Sequence, residues 1–230
     1  MAEPHAPDNE SPTAAVWTPQ QRKTWWAALA MAFGLLIGLD WLLARLLWLP
    51  FYFGLFFFLV AGLIVGGISF RVARGARTLS KGRILSGIIV VSCLSSLVTT
   101  YWEYRFIAAT AGEPPKFAAA RNAAMRQGRS SKDIRRQAAA AFRRQLAERF
   151  PPGGVVGYVR WAQATGKMEI KVQGFTETVS IQQHGLVWPM RTLAALLLMA
   201  AGLWLSYEPL RSSRPISNVL APGEAYEEID

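Results

Sequence analysis

Four apolar blocks, each close to twenty residues long, constrain this chain more than any other feature. They run from Trp25 to about Leu43 (loosely to Leu49), from Phe51 to Phe70, from Ile84 to Glu103 and from Val187 to Tyr207. A helix of about 20 residues crosses the roughly 30 Å of hydrocarbon in a bilayer. In that environment only a structure that satisfies its own backbone hydrogen bonds survives. The blocks therefore predict four transmembrane helices. Seven of the nine tryptophans (Trp25, Trp26, Trp41, Trp48, Trp102, Trp188 and Trp204) fall near a block end. That is where amphipathic rings settle at headgroup level.

Between the blocks lie a polar tail over 1–24, an 83-residue segment between spans three and four, and a tail over 208–230. The fold class read from this pattern is a mainly α membrane protein. It has four transmembrane helices and a small α+β extramembrane module at 104–186. The polar start of the chain is read as a disordered tail, not as a secretory signal. Pro50 separates spans one and two so closely that they form a tight hairpin, with 44–50 at the interface.

Charged residues make up only 17% of the chain, against about 25% in soluble domains. This disfavours a soluble enzyme and a disordered regulator. A single cysteine, Cys93, excludes a disulfide scaffold. The two histidines are far apart and no Cys/His cluster has metal spacing, so no metal or other cofactor is expected. No nucleophile elbow, zincin helix or intramembrane carboxylate pair is present, so an enzyme is not expected.

The formal net charge is +10. Residues 105–187 hold 14 basic and 5 acidic residues, and so carry nearly all of it. The loop 71–83 has five cations (Arg71, Arg74, Arg77, Lys81, Arg83) and no anion. Arg22 and Lys23 precede span one, and Arg211 and Arg214 follow span four. All three regions share a side in a four-span chain, and short basic loops stay in the cytoplasm. The reading is a multi-pass protein of the cell (inner) membrane with both termini cytoplasmic. The module is then outside despite its charge, because the rule weakens beyond about 60 residues.

Within the module, 117–127 is expected to form a short helix. Ser130 or Ser131 then caps a second helix to about Arg149. Ile134, Ala138, Phe142, Leu146 and Phe150 recur every fourth residue there as one apolar stripe. Arg135, Arg136, Arg143 and Arg144 lie off the stripe as candidate contacts to anionic lipid headgroups. Val155–Trp161 and the alternating runs around Ile170 and Val179 read as a β-meander of two or three strands.

Small residues mark candidate packing faces: Gly34 and Gly38 in span one, Gly62 and Gly66 in span two, Ser92 and Ser96 in span three. Matching depth, Gly62 is expected to face Ser92 and Gly66 to lie near Ile88. Spans one and three should run parallel with an offset near 58. Asp40, Arg45, Glu103 and Arg191 are ionisable residues in or at the ends of the blocks. Such residues are functional candidates by default. The expected pairs are Arg45 with Glu103 and Asp40 with Arg191.

The partners implied are the bilayer, anionic headgroups, and a protein partner or a second copy. Nucleic acid is not expected, since no reader motif is present. The role read from these features is structural or interactive within a membrane complex. A small transporter or channel component is the first alternative and a membrane-embedded enzyme the second.

Overall fold

A computed structural model describes residues 18–46, 51–74, 80–111, 122, 126, 130–172, 175–181 and 183–208. The expectations for 1–17, 47–50, 209–230 and most of the 117–127 helix lie outside the described residues. The protein is mostly helical, with four helices long and apolar enough to span a membrane. These are α1 (Pro19–Leu46), α2 (Phe51–Ala73), α3 (Lys81–Thr110) and α6 (Val187–Tyr207). Between α3 and α6 come α4 (Ser131–Arg149), α5 (Gly154–Ala164), β1 (Lys167–Val172) and β2 (Phe175–Ser180).

α1 starts six residues before the apolar block. The Thr18 hydroxyl accepts from the Gln21 amide at 3.2 Å, and Gln21 Oε1 accepts from the Thr18 amide at 3.2 Å. This is a capping box with proline at the first helical position. Thr18-Pro19-Gln20-Gln21 was a legible start signal, and part of the expected disordered tail is therefore helix. α3 also exceeds its block. Its 30 residues give about 45 Å at 1.5 Å per residue, so roughly 15 Å stands beyond a bilayer's hydrocarbon.

The four long helices form a ring in which α1 touches α2 and α3, and α6 touches α2 and α3. α2 and α3 are therefore diagonal partners, which corrects the expected Gly62–Ser92 and Gly66–Ile88 contacts. Gly62 lies against the backbone of Met199, Gly202 and Leu203, and Gly66 lies against Leu203 and Ser206. The glycine face of α2 meets Gly202 of α6, where a Cβ on either Gly62 or Gly202 would run into the facing backbone. The connection 74–80 has seven residues and reaches up to about 23 Å. That suffices to cross a bundle whose neighbouring axes lie roughly 8–10 Å apart.

The module packs on the protruding end of α3. Ile134, Ala138, Phe142 and Leu146 of α4 are fully buried, as the stripe predicted. They share a core with Tyr104, Ile107 and Ala108 of α3, with Trp188 of α6, and with Tyr158 and Trp161. Ser130 caps α4 as read, its hydroxyl accepting from the Lys132 amide.

Val155–Trp161 is not a strand but most of α5. The valines suggested β structure. The decisive spacing is that of Gly157, Tyr158, Trp161 and Ala162, all buried on one helical face. β1 and β2 form a two-stranded antiparallel hairpin pairing Lys167 with Ser180 and Val172 with Phe175.

Candidate functional site

The face that α1 turns inward is Trp25, Ala28, Leu29, Ala32, Leu36, Asp40 and Leu43. Gly34 and Gly38 lie on the other side, exposed, with open space where a Cβ would be. The small-residue face assigned to α1 is thus not a packing face within this chain. This rotation places the Asp40 carboxylate inside the bundle, where two hydroxyls of α3 bond it. The offset between α1 and α3 holds: Gly87 sits against Leu29, 58 positions away, and Thr99 bonds Asp40, 59 positions away.

α3 presents a polar column to the middle of the bundle. Ser92, Ser95, Thr99, Thr100 and Glu103 are all buried. Ser92, Ser95, Thr99 and Glu103, three or four residues apart with Thr100 beside them, lie on one side of the helix over about 16 Å. Asp40 Oδ1 accepts from Ser95 Oγ at 2.6 Å and from Thr99 Oγ1 at 3.0 Å. Asp40 Oδ2 and Ser92 Oγ are buried with no hydrogen-bond partner among the described residues.

Above them, Glu103 Oε1 accepts from Arg191 Nη2 at 2.7 Å, with both side chains buried. Arg191 Nη1 donates to Gln183 Oε1 at 3.1 Å. This corrects both expected pairings. Glu103 takes Arg191, and Asp40 takes two hydroxyls. Arg45 is exposed, and its guanidinium stacks 4.3 Å over Trp41 and 5.5 Å from Phe106. Arginine can remain at the rim in this way because an aromatic face attracts it.

A cavity of about 20 Å³ lies along the column, lined by Ser92, Ser96, Thr99, Glu103 and Arg191 with apolar residues of α2 and α6. Such a volume holds about one water. Ser96 therefore belongs to the cavity wall, as does Ser92.

The ion pair lies where the two cores meet. Tyr104 follows Glu103 into the module core, and Trp188 precedes Arg191 from it. Tyr158 of α5 is fully buried beside this pair. Burial first, and then the Glu103 carboxylate, hold its hydroxyl protonated well beyond the usual tyrosine range. The Tyr158 hydroxyl, Trp188 Nε1 and Arg191 Nε close no hydrogen bond of normal geometry among the described residues. The ion pair thus sits at a buried junction where further polar atoms cluster. Neither Tyr158 nor Gln183 was singled out from sequence. Their role depends on α5 and the 181–186 segment folding back onto the bundle, which no local pattern announces.

The four arginines of α4, at 135, 136, 143 and 144, are exposed on the module surface as expected. No group of three His, Cys, Asp or Glu able to hold a metal occurs among the described residues. Compared with known proteins, the chain matches no family model, no curated protein and no solved structure.

Proposed function

We propose that this chain is a structural or interaction protein of a membrane complex, a four-span holder that keeps its basic module in a fixed pose at one membrane face. The observation that carries this reading is the buried Glu103–Arg191 pair at the junction of the two cores. A buried ion pair contributes little net stability but penalises any arrangement that separates its members. Here separation would mean the ends of α3 and α6, between which the module is inserted, moving apart. The continuous α3 helix supports the same reading, since one rigid rod belongs to both regions.

We further propose insertion in the cell membrane with both termini cytoplasmic, on the strength of the loop 71–83. The module then stands outside and offers Arg135, Arg136, Arg143 and Arg144 to anionic headgroups or to an acidic partner. With Cys93 replaced, a cysteine at 160 should react with an impermeant reagent on intact cells, and a cysteine at 77 should not. The reverse pattern would overturn the orientation.

The polar column favours a second reading, a transporter or channel component. Reconstitution into liposomes separates the two. The holder predicts proton and alkali-cation fluxes equal to those of protein-free vesicles, together with migration in a larger complex in native membranes. A flux abolished by Asp40→Asn would establish the second reading instead.

A further inference from the structure

A second concavity lies far from the polar column, between the N-terminal ends of α1 and α3. It is a groove of about 170 Å³ lined by Trp25, Trp26, Leu29, Arg83, Ser86, Gly87 and Val90. Gly87 makes it. A Cβ there would come within 2.7 Å of the Trp25 ring and 3.0 Å of Leu29. The glycine lets α1 press Trp25 and Leu29 against α3 as the floor, both buried. Trp26 and Val90 are more than half exposed on its sides.

The mouth is cationic. Arg22 and Lys23 lie one turn before the tryptophans on α1, and Lys81 and Arg83 lie in the first turn of α3; all four are exposed. Neither helix has an acidic residue in its first turn. Both helices also point their N-termini this way, adding partial positive charge. A groove that is apolar toward the bilayer and basic at the headgroup level matches one ligand chemistry, a phosphate ester carrying fatty chains.

We propose that this groove binds an anionic diacyl phospholipid, its phosphate among Arg22, Lys23, Lys81 and Arg83 and one acyl chain along Trp26, Leu29 and Val90. The site rests on the four helices being membrane spans, and is independent of what the module does. It also departs from the expected headgroup contacts of Arg135, Arg136, Arg143 and Arg144, which lie on the module.

Native mass spectrometry of the detergent-purified full chain tests it, with added phosphatidylglycerol or phosphatidylcholine of matched chains. Wild-type protein should retain one phosphatidylglycerol at concentrations where phosphatidylcholine is lost. Lys81→Gln/Arg83→Gln should weaken the phosphatidylglycerol adduct about thirtyfold, in line with the contribution of two cations near an anionic headgroup. Ser86→Trp changes an exposed side chain and fills the groove. It should remove the adduct while leaving the melting temperature unchanged, and it decides the matter if the charge variant fails to fold. Lys171→Gln, on the hairpin, should leave the adduct as in wild type. Equal retention of both lipids by wild type, or an undiminished adduct in Ser86→Trp, would overturn the proposal. So would a dimer that Ser86→Trp dissolves, which would assign the groove to a second copy of the chain.

Discussion

The α2–α6 seam and the α3 polar column lie side by side in one bundle and are held together by opposite means. Along the seam, a Cβ on Gly202 would stand 2.5 Å from Leu59 O and 2.8 Å from Leu63 N, both backbone atoms. Ser206 Oγ donates across it to Leu63 O at 3.1 Å, and Ser69 Oγ and Tyr207 Oη meet at 2.5 Å. These contacts keep a nearly constant register, 143 positions at Leu63–Ser206 and 138 at Ser69–Tyr207, so the helices run parallel in continuous contact. Close backbone approach is the usual driving force for helix association where the surrounding lipid is as apolar as the side chains.

The column is built differently. Its carboxylates, guanidinium and hydroxyls satisfy one another only in part, and Asp40 Oδ2, Ser92 Oγ and Arg191 Nε have no hydrogen-bond partner among the described residues. The seam fixes which helices are neighbours. The column ties α3 to α1 through Asp40 and to α6 through Arg191.

The difference predicts how each region fails. Glu103→Ala should have the largest effect, about 3–5 kcal/mol, because Arg191 would be left buried without its counter-charge. Thermal unfolding in detergent would show it, and proteolysis should release the module before the bundle melts. Gly62→Leu should come next, at about 1–3 kcal/mol, by forcing the α2 and α6 backbones apart. A cysteine pair at 69 and 207 should crosslink in the parent protein, and should stop doing so in the Gly62→Leu background.

Tyr207→Phe removes one hydroxyl while Ser69 keeps its bond to Val65 O. It should cost about 1 kcal/mol. Gly34→Ala should be smallest and of opposite sign. With open space beside Gly34, the gain is that of alanine over glycine in a helix, about 0.5–1 kcal/mol. If Gly34→Ala destabilises instead, the outer face of α1 is covered by a second copy in the assembled protein.

The four long apolar helices were legible in the sequence, since each rests on about twenty consecutive apolar residues. The parallel offset of α1 and α3 near 58 was legible too, because matched ends fix the depth. Rotation was misjudged where small residues were weighed above a charge. Gly34 and Gly38 suggested one face of α1, whereas Asp40, on the stripe through Leu36 and Leu43, already pointed to the other. Neighbour choice was not legible. A short loop implies that α2 and α3 are close in sequence, but the bundle order depends on Gly202, and the advantage of a glycine opposite a glycine appears only once both helices are placed. Consequently the partner of Glu103 was missed although both Glu103 and Arg191 were candidates. In the module, Val155, Val156 and Val159 masked the helical spacing of Tyr158, Trp161 and Ala162.

The Glu103–Arg191 pair joins α3 to α6 at the end of the bundle where the module is inserted. Its most direct test is the melting temperature of Glu103→Arg, of Arg191→Glu and of the double reversal, measured on the full chain in one detergent. Each single reversal places two like charges together in a buried site and should lower the melting temperature sharply. The double reversal should recover most of that loss, with Gln183 turning its amide to donate to the new carboxylate. A double reversal no more stable than the worse of the two single variants would contradict the joint.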